Sequence, residues 1–382
     1  MRAFAPNYSS GFFLLLGRII VIFTSGASLI ITARYVGADI FAKFGVLMIL
    51  VNIVIDLVDF GSSANSSKDL ASKTITKTQY FCTMKAKTII LFLVLLTSSP
   101  LMYGFKFSFL QILFTLIYSV LWIQVNYVQS LFLILGDYFH SILLSMLERI
   151  LWLSVVFFTF FSLDKEVAFV LPMILGLLFH VLMAYRIIDI PRNSRADLFS
   201  AMKVFRQNSA YAAGSIATDL VTLDSNLVLA ATNAASGGSY LLGQRFKNQL
   251  ILGFVVFSIR IRNSFATKDK LAFYAILKKE RYLIHCNTLA IFALLPITFY
   301  FADEIFGPTY PNVNGVLTLI FANAIFVGFS YLLFDILNFS GFAEKLRSQF
   351  IPLIPLQLSI IYFTALGFGV LGAALALSLI HI

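Results

Sequence analysis

Several ionisable residues of this sequence lie inside long apolar runs, where an unpaired charge is unfavourable. An Arg, Lys or Asp at the centre of a membrane span costs roughly 2.5–3.5 kcal/mol, so it normally faces a partner or a water-filled cavity. Two interpretations are therefore open for each residue: a structural ion pair or snorkelling side chain, or a group that binds a charged solute. The residues are Arg18, Glu148, Arg149, Asp219, Asp224, Arg245, Lys247 and Asp335.

The run 238–259 combines two of these cations with further polar side chains. At 100° per residue its polar positions spread over about half of the helix circumference, and Leu242, Phe246 and Leu250 occupy the opposite side. Half of this helix is too polar to contact hydrocarbon, so we predict that it lines a water-filled path. The predicted substrate-binding residues of the run are Gln244, Arg245, Lys247 and Asn248.

Carboxylates at the inner end of the second apolar run are candidates for binding a coupling ion. Asn52, Asp56 and Asp59 share one helix face, because they are spaced i+4 and i+3. An equally open alternative is an inner-end cluster that pairs with Lys68 or Lys73.

Two further ion-coupling candidates lie in the run 209–231. Asp224 points away from the polar stripe of that run when the whole run is drawn as one helix, so it is the weaker candidate. The stripe contains Ser215, Thr218, Asp219, Thr222 and Asn226.

The composition identifies the elements that must position these residues. The chain has 382 residues, of which 59% are hydrophobic and 12% are charged, with a mean hydropathy of +0.90. A soluble domain is about one quarter charged, and runs of about 20 apolar residues are long enough to cross a bilayer. We predict an all-α polytopic membrane protein with about twelve spans, the last short or truncated. The predicted spans are 11–33, 40–60, 88–103, 107–135, 141–162, 167–186, 209–231, 238–259, 282–302, 314–338, 350–366 and the short run 370–382.

Positive charge predicts the orientation of the chain. If the N-terminus is cytoplasmic, 20 of the 28 lysines and arginines fall in inside segments and four in outside segments. Cytoplasmic loops retain positive charge, so the N-terminus is predicted inside. The net charge of +10 is then a topology signal, and no nucleic-acid partner is expected.

The polar segment 191–208 divides the spans into two sets of six. We therefore predict an N-terminal six-helix lobe at 1–190, a cytoplasmic linker at 191–208 and a C-terminal lobe at 209–382. In this topology Arg18 and Arg149 lie in the cytoplasmic halves of their spans, whereas Arg245 and Lys247 lie in an outer half. Cations on both sides of the midplane suit alternating access and favour an anionic cargo over a cationic drug.

Other motifs do not predict chemistry. Cys82 and Cys286 form no CxxC pair, and the four histidines lack metal-ligand spacing. The GxGxxG string at 367–372 joins two membrane segments without a strand or a downstream acid, so we interpret it as a tight turn between helices. We expect neither an enzyme nor a cofactor or metal site.

The outer turn between the first two spans carries a family resemblance. The turn contains the string RYVGADIF at 34–41, and the next span ends with Asp59-Phe60-Gly61. Together these motifs resemble the first hairpin of Wzx-type polysaccharide flippases. Similar features are Gly-Ser-Tyr at 238–240, Phe-Gly-Pro-Thr-Tyr at 306–310 and Gly-Val-Leu-Gly-Ala-Ala at 369–374. Ala42 departs from that pattern, which usually has glycine there.

The resemblance implies a fold, a cargo and partners. The fold is two six-helix lobes, shared with multidrug-extrusion (MATE) exporters, in the bacterial inner membrane. The cargo is an undecaprenyl-diphosphate-linked oligosaccharide, an O-antigen or capsule repeat unit, moved to the periplasmic leaflet with coupling to an ion gradient. The implied partners are membrane lipids, a polysaccharide polymerase and a chain-length regulator.

Alternatives remain open at this stage. A MATE-like exporter of drugs would have a carboxylate-rich cavity, and a membrane glycosyltransferase or polymerase would need a large outer loop or an acidic catalytic motif. Within the first hairpin, Gly37 is predicted to reverse the chain and Asp39 to cap the second helix. Arg34 either meets the anionic carrier at the exit or snorkels to headgroups.

Overall fold

The computed structural model describes residues 9–59, 66, 69–70, 74–104, 107–135, 137–159, 164–188, 223–266, 270–337 and 353–380. These residues form eleven α-helices, and none of them is in a strand. The helices are α1 (Ser9–Val36), α2 (Ala38–Asp59), α3 (Lys77–Gly104), α4 (Phe109–Ile134), α5 (Tyr138–Thr159), α6 (Lys165–Ile187), α7 (Asp224–Ala231), α8 (Ala234–Ala266), α9 (Lys270–Phe306), α10 (Val313–Leu337) and α11 (Leu353–Ile380).

Nine helices of the described part are long and apolar enough to cross a membrane, namely all except α7 and α8. The chain is therefore a multi-pass membrane protein, as the composition predicts. Helices α3 and α9 begin eleven and twelve residues before the predicted spans, at Lys77 and Lys270. Apolarity marks the membrane-embedded part of a helix, and a helix continues into water wherever its backbone bonds are satisfied within it.

The described residues group into two compact units. Unit 1 contains Met1–Ser28 and Leu47–Asp219, and unit 2 contains Leu29–Val46 and Leu220–Ile382. The linker predicted at 191–208 lies outside the described residues, so the predicted lobe boundaries stay a prediction.

Unit 1 has a core of mutually packed helices. Helix α4 packs against α3, α5 and α6, and α5 packs against α6. Gly176 allows the α5–α6 contact to be close, because a Cβ at that position would lie 3.3 Å from the carbonyl oxygen of Glu148. Asp164 caps α6 by accepting a hydrogen bond from the backbone N–H of Glu166 at 2.9 Å.

Unit 2 is built around α8 and α10. Helix α8 packs against α10 and α9, and α7 packs against both α8 and α11. Helix α11 changes direction at Gly369, whose φ of 64° is in the left-handed region that favours glycine. A Cβ at Gly372 would lie 2.5 Å from the carbonyl oxygen of Thr364, so the two segments pack closely after the bend. The turn predicted from the glycine string at 367–372 is therefore observed.

The end of α1 and the start of α2 form a hairpin that belongs to unit 2. Gly37 alone separates the two helices and has a φ of 82°. The prediction that Asp39 caps α2 is wrong. Because the left-handed glycine reverses the chain in one residue, α2 begins at Ala38 and Asp39 lies in its first turn. A carboxylate there still interacts favourably with the helix dipole.

Close packing of this hairpin on α8 gives a first prediction. A Cβ on Gly238 would lie 2.7 Å from the carbonyl oxygen of Ala38, so the backbone of one element must shift. We expect Gly238→Ala to destabilise the purified full-length chain by about 1–3 kcal/mol, measured as a fall in Tm.

Gly367→Ala is the matched control for this substitution. A Cβ on Gly367 would meet no heavy atom within 4 Å among the described residues. Replacing this helical glycine should leave stability unchanged or raise it by up to about 1 kcal/mol. Equal Tm values for Gly238→Ala and the parent chain would contradict the close approach.

Candidate functional site

A buried carboxylate organises the polar residues of unit 2. Asp224 is 2% exposed in the first turn of α7. One carboxylate oxygen accepts hydrogen bonds from the hydroxyl of Tyr240 at 2.8 Å and from Nε2 of Gln244 at 3.0 Å. The other accepts from the hydroxyl of Ser225 at 3.1 Å and from its backbone N–H. Lys247 lies near enough to attract the carboxylate electrostatically. We call these five residues the Asp224 cluster.

The start of α8 is enclosed by protein, because Tyr240, Leu241 and Leu242 are all buried. The predicted substrate-binding residues follow within two turns. Gln244, Arg245 and Lys247 are half-buried and Asn248 is exposed, while Arg245 also interacts with other residues. The structure thus brings Gln244 and Lys247 together around Asp224, the carboxylate that helical spacing had ranked lower.

The second buried network lies at the end of α2 in unit 1. Asp59 is 8% exposed, and its carboxylate accepts a hydrogen bond from the hydroxyl of Tyr127 at 3.0 Å. Tyr80 donates to the backbone oxygen of Tyr127 at 2.8 Å. The fully buried Lys87 donates through Nζ to the backbone oxygens of Val58 at 2.8 Å and Asp59 at 3.3 Å. We call Asp59, Tyr80, Lys87 and Tyr127 the Asp59 cluster.

This arrangement supplies bonds that the end of a helix lacks. The last carbonyl groups of α2 have no partner within the helix, and Lys87 accounts for two of them. The carboxylate of Asp59 also attracts Lys87 electrostatically. The sequence-based alternative paired Asp59 with Lys68 or Lys73, which lie outside the described residues.

Asp56, one turn earlier on α2, lines a small cavity of unit 1. The cavity has a volume of about 180 Å³ and is lined by Asn52, Ile55, Asp56 and Trp122. Asp56 interacts with another residue, and Oδ1 of Asn52 is buried without a hydrogen-bond partner in the described part of the chain. A carboxylate beside an amide oxygen is the donor set of a small cation or proton site.

A third network joins α5 and α6 in unit 1. His180 is fully buried, and its Nδ1 lies 2.7 Å from Oε2 of Glu148. Arg149 lies 3.5 Å through Nη2 from the other oxygen of Glu148. Its guanidinium also stacks 4.9 Å above the ring of Trp152. Arg149 thus lies against a carboxylate and an aromatic ring. We call Glu148, Arg149, Trp152 and His180 the Glu148 cluster.

Arg34 and its neighbours fasten the hairpin within unit 2. Nη1 of the exposed Arg34 donates to the carbonyl oxygen of Ile305 at 3.5 Å. The buried Tyr310, in the turn after α9, donates to the carbonyl oxygen of Ala33 at 2.9 Å. Of the family-like strings, 34–41, 238–240 and 306–310 therefore meet in one contact region of unit 2, because Ser239 also donates to the carbonyl oxygen of Pro311 at 2.9 Å.

A polar cavity of about 310 Å³ lies in unit 2, where the α7–α8 connection, the turn before α10 and the bend of α11 come together. Asn312 has a φ of 56°, a left-handed conformation that asparagine tolerates better than most residues. The polar lining and one aromatic ring are contributed by Thr232, Asn233, Ser236, Asn312 and Phe368. These residues carry amide and hydroxyl groups without any charge.

Some predicted site residues lie beyond the described positions. Asp219 lies in the segment 189–222, which the structure does not describe. The side chains of Arg18 and Asp335 are also not among the described ones. Among the described residues, no group of three His, Cys, Asp or Glu side chains is arranged to hold a metal ion.

Sequence reasoning missed the neutral and basic partners of the carboxylates. Tyr127 resembles a core aromatic in a chain this apolar, and Lys87 resembles a cytoplasmic loop cation. His180 has no other histidine three or four positions away in the sequence. The available signal was that a buried tyrosine hydroxyl normally has a hydrogen-bond partner.

Comparison with known proteins identifies the fold. No family model and no curated protein matches the sequence. A mutant of the Vibrio cholerae MATE transporter VcmN matches with a TM-score of 0.65 and 12% identity, covering 98% of this chain and 94% of that one. The lipid II flippase MurJ, in an inward closed conformation, matches with a TM-score of 0.66 and 13% identity, covering 98% and 85%.

A third solved structure is an inward-facing multidrug resistance MATE family transporter of the MOP superfamily. It matches with a TM-score of 0.61 and 11% identity over 96% of both chains. Identities this low establish a common architecture only. The MATE-like fold implied by the Wzx resemblance is thereby confirmed, whereas the twelve-span count and the Wzx relationship stay predictions. This multi-pass membrane protein has the fold of MATE transporters and MurJ.

Proposed function

We propose that this protein is a flippase for an undecaprenyl-diphosphate-linked oligosaccharide. It moves the carrier from the cytoplasmic to the periplasmic leaflet of the bacterial inner membrane by alternating access, with coupling to an ion gradient. The observation that carries the proposal is the polar flank of α8.

Helix α8 has the length of a membrane helix but not its composition. Its 33 residues extend about 50 Å, and it packs against α9 and α10, which are both apolar enough to cross a bilayer. A helix among membrane spans cannot present a polar flank to lipid. The flank that carries Arg245, Lys247 and Asn248 therefore faces protein or water, as expected of a helix that lines a transport path.

The chemistry of this flank suits a diphosphate. Arginine offers several N–H donors in a fixed fork that matches phosphate oxygens. Arg245 is the arginine of this flank, so it is the cation to which we assign the diphosphate contact. The polar cavity of unit 2, with uncharged amides and the ring of Phe368, provides hydrogen bonds and an aromatic surface for sugar.

A second candidate is a MATE-like exporter of small molecules. It is favoured by the TM-score of 0.65 with VcmN, which is nearly equal to the value of 0.66 with MurJ. Such an exporter would raise the resistance of its host to organic cations without restoring surface glycan, so one strain can test both functions.

The test is complementation of a strain that lacks its own flippase, read as surface glycan at equal membrane abundance of the protein. We expect Arg245→Ala to reduce surface glycan at least about tenfold, because a charge-assisted hydrogen bond contributes about 1.5–3 kcal/mol. Arg245→Lys should retain an intermediate level, since it keeps the charge and loses the fork.

Arg281→Ala provides the matched control. Arg281 is an exposed arginine of α9 whose contact is with its neighbour Tyr282. The Arg281→Ala protein should support the same amount of surface glycan as the wild type. Undiminished glycan in the Arg245→Ala strain would refute the assignment of this cation to the cargo.

A further inference from the structure

The Glu148 cluster contains a carboxylate that is shared by two basic groups. His180 approaches one oxygen at 2.7 Å and Arg149 approaches the other at 3.5 Å. The two bases differ in exposure, because the side chain of His180 is 0% exposed and that of Arg149 is 21% exposed. The buried base is held by the shorter contact, and the base near the surface by the longer one.

The second ring nitrogen of His180, Nε2, is the atom that can take up a proton. Nε2 is buried and makes no hydrogen bond within the described part of the chain. When a neutral imidazole donates Nδ1–H to a carboxylate, Nε2 carries the lone pair, and that lone pair is where a proton adds. Nε1 of Trp152, a donor in the same cluster, is likewise buried and without a hydrogen bond among the described residues.

The elements packed against α6 leave few other titratable groups near His180. Among the described helices, these elements are α4 and α5. Helix α4 contains no Asp, Glu, Lys, Arg or His, and of its tyrosines Tyr127 is bonded to Asp59. Helix α5 contributes Glu148 and Arg149 here, while its His140 pairs with Asp137 at 2.7 Å.

The remaining ionisable groups of α6 lie towards its two ends. Lys165 and Glu166 are in the first turn and Arg186 is in the last, where Tyr185 donates to Gln124 at 3.0 Å. On α4, Tyr118 stacks on Trp122. Among the described residues, Glu148 and Arg149 are therefore the ionisable groups that lie beside His180.

Charge balance makes the two bases compete. With a neutral imidazole, the carboxylate of Glu148 and the guanidinium of Arg149 sum to zero. A proton on Nε2 creates a second cation beside one carboxylate, and like charges repel strongly where the dielectric constant is low. The imidazolium is enclosed, whereas the side chain of Arg149 is partly exposed, so Arg149 is the group that leaves.

We propose that Glu148, His180 and Arg149 form a proton-binding switch, in which a proton from water adds to Nε2 of His180 and displaces Arg149 from Glu148. No other bond is made or broken, and loss of the proton restores the original pairing. If Arg149 also binds the anionic cargo, a step that rests on the proposed function, then proton binding controls when that cation is available. The switch itself does not depend on the cargo.

Trp152 reports the position of Arg149 directly. The chain has two tryptophans, so Trp122→Phe leaves Trp152 as the only one. We expect the emission of this purified full-length protein to change in a single one-proton transition as the pH is lowered, because the guanidinium leaves the ring. His140→Gln, which removes the accessible histidine of α5, should keep the transition.

Two variants must lose the transition. His180→Gln removes the titrating nitrogen but retains an N–H that can donate to Glu148. Arg149→Gln leaves the buried pair intact and removes the group that moves, so it provides a test even if His180→Gln does not fold. A pH-independent emission in the Trp122→Phe protein, or a full transition in either variant, would overturn the switch. Because no cargo is present, failure here is distinct from failure of the flippase proposal.

Discussion

Replacing Asp224 with alanine is expected to destabilise the protein by about 3–5 kcal/mol and to abolish transport. The substitution removes the acceptor for Tyr240, Gln244 and Ser225 and leaves the charge of Lys247 without its carboxylate. Removing one member of a buried charged pair has an effect of about this size, because the remaining charge stays in a poorly solvated place. The measurement is the Tm of the purified full-length chain together with surface glycan in the complementation strain.

Two further variants separate the charge from the hydrogen bonds. Asp224→Asn keeps an oxygen that accepts from Tyr240 but cannot balance Lys247, so combining it with Lys247→Met should recover part of the lost stability. Asp39→Ala is the comparison at an exposed position, because Asp39 lies in the first turn of α2. It removes a carboxylate that interacts with the helix dipole and should lower the free energy of unfolding by no more than about 1 kcal/mol. An Asp224→Ala protein as stable as Asp39→Ala would show that the cluster is not a structural centre of unit 2.

Replacing Lys87 with methionine is expected to have a similar effect on unit 1. Methionine fills much of the same space but leaves the carbonyl oxygens of Val58 and Asp59 without their donor. It also removes the charge that attracts the Asp59 carboxylate. Two buried carbonyls that lose their donor and a buried carboxylate that loses an attracting charge should together destabilise the protein by about 3–5 kcal/mol.

Lys77→Met is the control that separates the effect of a buried lysine from the effect of losing one positive charge. Lys77 begins the same helix and is exposed, so its replacement should change stability by no more than about 0.5 kcal/mol. Tm values are again the measurement. A fall of the same size in both lysine variants would mean that the Lys87 contacts contribute little.

Much of the fold was predictable because the membrane imposes simple rules. The predicted runs 141–162 and 167–186 match α5 (Tyr138–Thr159) and α6 (Lys165–Ile187) to within a few residues. Gly37 and Gly369 were recognisable as turn positions, and both have positive φ angles. Apolar length and glycine are local signals, so they survive without knowledge of tertiary contacts.

The partners of each buried charge were not predictable, because pairing depends on which helices touch. For the carboxylates at the inner end of the second run, pairing with Lys68 or Lys73 was one alternative, and both lysines lie outside the described residues. The described partners of Asp59 come from α3 and α4. Asp224 was ranked low by projecting the whole run 209–231 onto one helix, yet α7 begins at Asp224 itself. A helical projection holds only within a continuous helix, and helix starts are among the least certain sequence-based predictions.

Transfer of the cargo between leaflets tests the central claim most directly. Purified wild-type protein is reconstituted into vesicles with an undecaprenyl-diphosphate oligosaccharide that carries a fluorophore on its sugar, and a membrane-impermeant reductant is added outside. Protein-free vesicles should lose only the outer-leaflet signal. With the wild-type protein the inner-leaflet signal should also disappear, and with Arg245→Ala it should be largely retained. A wild-type result equal to that of protein-free vesicles would contradict the flippase function.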